Sequence, residues 1–499
     1  MKSRLMRTTV AMLLGIFLLS PFLVKANPVT ASSAVAAPSP SLYLPLVMRP
    51  VAAPIPSVLY LPLVMRNFPL QTLFGAEMDQ LTSGGGLDQM AAANISWTRR
   101  NAVLWSSVKP TEGTYNWGAL SGLESELQNA SEKGMRVILI VRSTPQWARK
   151  IAGSGPYCGP IHPDKLPAFG SFMHELVARY SVPPYNVKYW ELWNEPDIDP
   201  SIFGYGDSIY GCWGDQSDSH YGGGYYAEML KAAYPQIKAA DPQAQVLVGG
   251  LLLDCDPRPE AGCAAVGHSS VPGKFLEGIL INNGAPYFDG VSFHAYDYYF
   301  GQSGQYGNSN WQSAWNTTGS VLIAKAQFIQ GLLGQYGVSG KFLMNTESAL
   351  LCNACSNDSV FETTKAYYVA QAYSAAIAKG LRANIWYSVM GWQNSGLLNP
   401  DLSPRPAYTA FQFARSELRD AAFAGDITGS DIGDASSVKG YKFNRGDRRI
   451  WVLWSLDGAA HSINLPGVPL TAWDALGNPV TPAVSMNVTL NPLYLEWSP

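Results

Sequence analysis

The sequence predicts an α/β protein, a (β/α)8 TIM barrel followed by a small C-terminal antiparallel β-sandwich domain. Three observations lead there. From residue 70 onward, eight short apolar runs recur with amphipathic stretches between most of them, and runs buried on both faces belong to a parallel sheet covered by helices. Two of these runs end on a carboxylate, Glu195 and Glu347, and a parallel barrel gathers the C-terminal ends of its strands on one face. After about residue 415 the segments become short and β-like, separated by turn residues.

The chain begins with a basic start, Lys2, Arg4 and Arg7, then an apolar run from Val10 to Leu19 and a small-residue cleavage site at Val24-Lys25-Ala26. That run is too short to span a bilayer, so residues 1–26 read as an export signal, with an uncleaved membrane anchor as the competing reading. Removal of the signal leaves no transmembrane span in this reading, and the expected location is secreted or at the cell surface. Residues 27–67 form a Pro/Ala-rich linker in which one eight-residue string occurs twice, Leu42–Arg49 and Leu59–Arg66. Two copies are too few for a solenoid. The duplication reads either as a spacer with short extended segments or as a cell-surface or partner attachment through residues 42–66.

Composition narrows the function classes. With 47% hydrophobic and only 14% charged residues, the chain can bury a sizeable core. The net charge of −3 and the lack of any Lys/Arg-rich run argue against nucleic acid as a partner. Aromatics are plentiful, with 15 Trp and 26 Tyr; their rings stack on sugar faces but also fill cores. The six cysteines, an even number in a chain with an export signal, point to disulfides. Cys255–Cys263 is the favoured local pair; Cys352–Cys355 is tight, and it would leave Cys158–Cys212. Cys352-x-x-Cys355 is also a metal-binding spacing, but no second pair or His cluster accompanies it, so no metal and no organic cofactor is expected.

The predicted barrel covers residues 68–415. Its strands are Leu73–Ala76, Ile95–Thr98, Arg136–Val141, Val187–Trp193, Val246–Leu253, Gly290–His294, Lys341–Asn345 and Ala383–Tyr387. Stretches such as Tyr226–Tyr234 and Ala366–Tyr373 supply helical periodicity between them. In residues 416–499, Gly440–Phe443, Arg449–Trp454, His461–Leu465 and Leu490–Trp497 read as strands, with turns at Leu456-Asp457-Gly458 and Leu476-Gly477-Asn478-Pro479.

Glu195 ends the fourth run within Trp193-Asn194-Glu195-Pro196, and Glu347 ends the seventh within Asn345-Thr346-Glu347. Two carboxyls on one barrel face are the minimum equipment for breaking a glycosidic bond, and a spacing of ~5–5.5 Å lets one protonate while the other attacks. Glu195 is assigned as acid and then base, Glu347 as nucleophile. Asn194 would donate to the sugar 2-hydroxyl. His294 and Tyr296, closing the sixth run, would flank the nucleophile, with the Tyr296 hydroxyl keeping Glu347 ionised. Trp386, ending the eighth run, would form the floor under the sugar, with Trp392 as the rival platform. Arg99 or Arg100 would bring positive charge to Glu347; spacing does not decide between them, and Arg100 is carried as the candidate. Glu191, four residues before Glu195, reads as a structural residue deeper in the barrel, paired with an Arg of the second strand. Tyr205, Tyr210 and Trp213 either line outer sugar subsites or belong to a loop pinned at Cys212.

These stretches carry a family resemblance. Trp105–Pro110 with Gly113–Trp117, Thr144–Ala148, Tyr189–Pro196, Asp241-Pro242 with Val248-Gly249-Gly250, Phe293–Tyr296 and Asn345–Glu347 follow one another in family order over residues 70–415. The chain resembles the retaining glycoside hydrolases whose acid and nucleophile follow strands four and seven, glycoside hydrolase family 39 most of all, and is also similar to family 5. The resemblance implies a barrel, retention of configuration, Glu195 and Glu347 in the roles above, and an appended β-domain in some members. One departure stands out: Arg142-Ser143-Thr144 replaces the His that family 5 enzymes usually carry after strand three. The expected activity is hydrolysis of β-glycosidic bonds in oligo- or polysaccharides by double displacement. The alternatives are a transglycosylase using the same site and a catalytically silent carbohydrate-binding cell-surface protein.

Overall fold

The computed structural model describes residues 72–155, 157–199, 208–258, 263 and 272–499. The expected export signal and the duplicated linker lie outside the described residues. Among the described residues, no helix is long and apolar enough to cross a membrane.

Eight parallel strands close into a barrel: β1 (Phe74–Ala76), β2 (Trp97–Leu104), β3 (Arg136–Arg142), β4 (Tyr189–Asn194), β5 (Gln245–Leu251), β6 (Gly290–Tyr299), β9 (Phe342–Leu351) and β10 (Ala383–Trp386). Closure comes from the pairing of β1 with β10, where Phe74 aligns with Asn384 and Ala76 with Trp386. All eight predicted runs overlap a barrel strand. The second begins two residues later than predicted and runs on to Leu104. The sixth outruns its prediction to Tyr299 and carries a hairpin arm, β7 (Tyr306–Asn308) and β8 (Ser313–Ala314), paired antiparallel.

Alternation along the strands fills the barrel. Trp97, Ile138, Leu247, Met344, Ala383 and Ile385 form an interior cluster, with Tyr189 and Phe342 packed against it. They sit low on their strands and point inward, as the layered interior of such a barrel requires. Counting by twos up from Trp97 and Tyr189 brings Arg99 and Glu191 to the inner face above this floor, where His294 and Tyr296 of β6 meet them at Glu347. Outward residues pack instead under the helices; Phe74, for example, stacks on Tyr373 of helix Ser359–Ala378 with ring centroids 4.3 Å apart. Asp358 caps that helix by accepting from the Val360 and Phe361 amides.

The C-terminal part is two antiparallel sheets. One has five strands in the order β11 (Ala422–Asp426), β12 (Val438–Arg445), β13 (Arg448–Ser455), β17 (Leu493–Trp497) and β15 (Thr471–Trp473); the other pairs β14 (His461–Asn464) with β16 (Ser485–Val488). Period-two alternation splits the larger sheet into two apolar faces. Tyr441, Phe443, Ile450, Val452, Trp454 and Tyr494 join the hydrophobic core of the barrel and its helices. Trp451, Leu453, Leu495 and Trp497 face Ile463, Met486 and Val488 of the small sheet. The predicted β-sandwich is present, and the central strands β13 and β17 of its large sheet are buried on both faces.

Candidate active site

The chain turns sharply where β4 ends. Trp193 and Glu195 both occupy the left-handed region, with φ of 73° and 47°. Non-glycine residues there are strained and persist only when their surroundings hold them. The surroundings do so here. The Glu195 amide donates to the Gly250 carbonyl at 2.9 Å, and the Glu195 carbonyl accepts from Gly211 at 3.1 Å. Asp197 accepts from the Leu252 and Leu253 amides at 2.9 and 2.8 Å, tying the loops after β4 and β5 together. The two glycines of Val248-Gly249-Gly250 are demanded by space: a Cβ on Gly249 would lie 2.3 Å from the Leu192 carbonyl oxygen, and one on Gly250 would lie 2.2 Å from Nε2 of His294.

Arg99 occupies the centre of the inner face and is fully buried. Its Nε donates to Glu191 Oε1 at 3.0 Å, its Nη2 to Asn194 Oδ1 at 2.7 Å, and its Nη1 to Glu77 Oε2 at 3.1 Å. Nη1 also ion-pairs with Glu347 Oε1. Burial alone would lower its pKa, but Glu191, Glu347 and Glu77 together hold it well above its ordinary value. Arg99 is a permanent cation shared by the carboxyl groups of Glu191, Glu347 and Glu77.

The two carboxyls singled out by the sequence meet above it. One oxygen of Glu195, one of Glu347 and a His294 ring nitrogen all lie within 4.8 Å of one another. Tyr296 donates its hydroxyl to Glu347 Oε2, so Arg99 and Tyr296 take one oxygen each. Burial first, then Glu347, pushes the Tyr296 phenol well above its usual range, so it stays a donor. His294 Nδ1 lies 3.0 Å from Glu195 Oε1 and 3.4 Å from Glu347 Oε2. Burial lowers His294 to about 4, leaving it neutral near pH 7. Asn194 Nδ2 donates to Glu195 Oε2 at 3.3 Å, its amide oriented by Arg99 on the other side. Burial, partly offset by Arg99, Lys325 and Arg142, raises Glu195 to about 7. One carboxyl can therefore carry a proton at neutral pH beside another that accepts two donors.

Glu195, His294 and Glu347 are also spaced to ligate a metal ion. Both oxygens of Glu347 are already engaged by a guanidinium and a phenol, however, and the first of these is a cation.

Five sequence-predicted residues thus converge: Glu195, Glu347, Asn194, His294 and Tyr296. Two others require correction. Arg100 points out of the barrel, where its Nε and Nη2 bond Glu126 at 2.7 and 3.0 Å; Arg99 takes the place assigned to it, because alternation sends neighbouring residues to opposite faces. Trp386 faces outward for the same reason. It is fully buried against Tyr368, with its indole N–H on the Ser395 carbonyl. Tyr387, the next residue, faces Glu347 and Glu77 instead. It packs edge-on against Tyr296 and Trp392, and Trp392 is half-exposed beside them. Glu191 pairs with Arg99 as expected. Trp213 is buried against Trp193 and Tyr226, so it belongs to the packing of the loop that Cys158–Cys212 pins. Tyr205 lies outside the described residues.

The sequence reading missed Glu77. It follows β1 directly, as Glu195 follows β4, and that placement was the available signal; a strand of three residues kept it from notice. All six cysteines pair: Cys158–Cys212, Cys255–Cys263 and Cys352–Cys355. Every bridge lies in loops after strand C-termini, on the face that carries the carboxyls.

The fold is similar to that of the barrel-fold glycoside hydrolases. A family 39 glycoside hydrolase from the gut symbiont Bacteroides cellulosilyticus WH2 superposes with a TM-score of 0.62 at 17% identity, covering 86% of this chain and 81% of that one. A family 39 β-xylosidase from Caulobacter crescentus gives 0.51 at 15% identity, over 87% of this chain and 97% of that one. A family 30 endoxylanase from Clostridium papyrosolvens C71 gives 0.56 at 11% identity, over 86% and 97%. The sequence model of the glycoside hydrolase 42 family, described as β-galactosidase, matches residues 80–152. No curated protein matches the chain. The shared feature at these identities is the fold, and the expected resemblance to family 39 holds at that level.

Proposed function

We propose that this protein is a retaining glycoside hydrolase of β-linked oligo- or polysaccharides. The observation that carries this reading is the pair of carboxyls, with oxygens within 4.8 Å, one directly after the fourth barrel strand and one midway along the seventh. Inverting enzymes keep their carboxyls ~6.5–9.5 Å apart to admit a water, whereas retaining ones need ~5–5.5 Å. Glu347 attacks the anomeric carbon while Glu195 protonates the leaving oxygen, which forms a glycosyl–enzyme ester and frees the aglycone. Glu195, now ionised, takes a proton from water, which cleaves the ester and returns Glu347 as a carboxylate. Arg99 and the Tyr296 hydroxyl hold Glu347 in place, and Asn194 turns its amide N–H toward the sugar 2-hydroxyl. The xylosidase and endoxylanase among the similar structures make β-xylosides the first substrates to try.

The signal-like pattern of residues 1–26 and the three disulfides support a secreted or cell-surface location, and the duplicated string in residues 42–66 supports attachment there. The test is a panel of aryl β-glycosides with the product anomer followed by NMR. Retention in the wild type, with turnover lost in both Glu195→Gln and Glu347→Gln, is expected. Inversion, or wild-type rates in both variants, would overturn the reading. Sugar affinity without turnover in the wild type would identify a binding protein, and transfer to sugar acceptors in place of water a transglycosylase.

A further inference from the structure

We infer that Glu77 is a specificity-determining residue that binds a hydroxyl of the sugar held over Glu347. The inference rests on the glycosidase reading above and extends it to a residue outside the catalytic pair.

Three carboxyl groups share Arg99, and they are not equivalent. The Glu191 side chain is sealed, at 0% exposure. Those of Glu195, Glu347 and Glu77 are open by 11%, 9% and 11%. Glu77 is thus as accessible as the two residues proposed to touch substrate. If it served only as a counterion for Arg99, it could be as closed as Glu191. Its Oε2 accepts a hydrogen bond from Arg99 Nη1, and its Oε1 has no hydrogen-bond partner among the described residues. An exposed, unengaged oxygen beside the reacting centre is what a sugar hydroxyl would meet.

The side of the site follows from the chemistry. An acid must sit beside the leaving oxygen, so Glu195 on β4 marks the aglycone side. Glu77 lies after β1, between β2 and β10. The charges that bear on it are Arg99 of β2, Glu347 of β9 and Glu191 of β4. The groups it bears on include Tyr387 after β10 and Arg142 of β3. It therefore flanks the sugar whose anomeric carbon Glu347 attacks. Burial, opposed by Arg99, holds Glu77 up at about 8, so near neutral pH it offers a sugar hydroxyl both a donor and an acceptor.

The test compares Glu77→Ala and Glu77→Gln with the wild type on an aryl β-glycoside and its 3-deoxy and 4-deoxy analogues. For the parent, kcat/KM is expected to fall at least tenfold in Glu77→Ala and less in Glu77→Gln. For the analogue lacking the hydroxyl that Glu77 binds, wild type and Glu77→Ala are expected to agree within about twofold. An equal fall on all three substrates would assign Glu77 to positioning Arg99 alone, and an unchanged kcat/KM would remove it from the site; either overturns the inference. Melting temperatures identify variants that fail to fold, and the near-isosteric Glu77→Gln carries the comparison if Glu77→Ala does. Labelling of the wild type at Glu347 by a 2-deoxy-2-fluoro glycoside tests the glycosidase reading separately. If the wild type neither turns over nor labels, that reading fails and takes this inference with it.

Discussion

Arg99 and Glu347, 248 residues apart in the chain, form a direct ion pair at the centre of the barrel mouth. The same guanidinium holds Glu77, Glu191 and Asn194, so one side chain ties the first, second, fourth and seventh barrel strands together. A buried cation shared in this way cannot be replaced by a point charge with different geometry.

Arg99→Lys keeps the charge but cannot reach Glu77, Glu191, Asn194 and Glu347 at once, and is expected to lower kcat/KM at least a hundredfold and to lower the melting temperature. Arg100→Ala breaks only the pair with Glu126 outside the barrel, and should leave kcat/KM within about twofold of wild type. Steady-state kinetics and thermal melts on the two variants read the contrast directly.

The environment of Glu195 fixes a pH dependence. Its ordinary value of 4.5 is raised to about 7 by burial, so the folded state holds this proton more tightly than the unfolded chain. The stability it contributes is full below pH 4.5 and is lost as pH rises through about 7. A rise of that size corresponds to about 3 kcal/mol. Glu195→Gln should therefore melt higher than wild type at pH 8 and show little difference at pH 4. In the wild type, kcat/KM should fall as pH rises past about 7 and the acid ionises.

Gly250→Ala tests the packing behind the site. The added methyl would lie 2.2 Å from Nε2 of His294, so the ring must shift, and its Nδ1 loses its place beside Glu195 and Glu347. A loss of about 1–3 kcal/mol in stability is expected, with kcat falling more than KM changes. An unaltered kcat would show that His294 has no part in holding the carboxyls.

Truncation after Leu418 removes the two C-terminal sheets and uncovers the barrel surface against which Tyr441, Phe443, Ile450, Val452, Trp454 and Tyr494 pack. The shortened chain is expected to aggregate or to melt well below the full protein, as size-exclusion chromatography and calorimetry would report.

How much of this was legible depended on periodicity. The eight barrel strands and the five converging residues followed from apolar runs and from polar groups at their ends. What failed was parity. A one-residue error in a period of two sends a side chain to the opposite face, which exchanged Arg99 for Arg100 and Tyr387 for Trp386. The inward positions Ala383 and Ile385 point to Tyr387, but a short run of apolar residues does not reveal which half faces in. Irregularities hid more: the ladder between β6 and β9 shifts register next to Glu347, and β1 is too short to announce Glu77.

The three disulfides are confined to the mouth. The staves and the floor cluster beneath them contain no cysteine, so the barrel can close before any oxidant is met, and oxidation then shapes only the rim where substrate enters. Redox compartment would thus act on this protein as a finishing step: a chain held in reducing conditions should acquire its secondary structure and core, yet remain without a shaped opening until its thiols are joined.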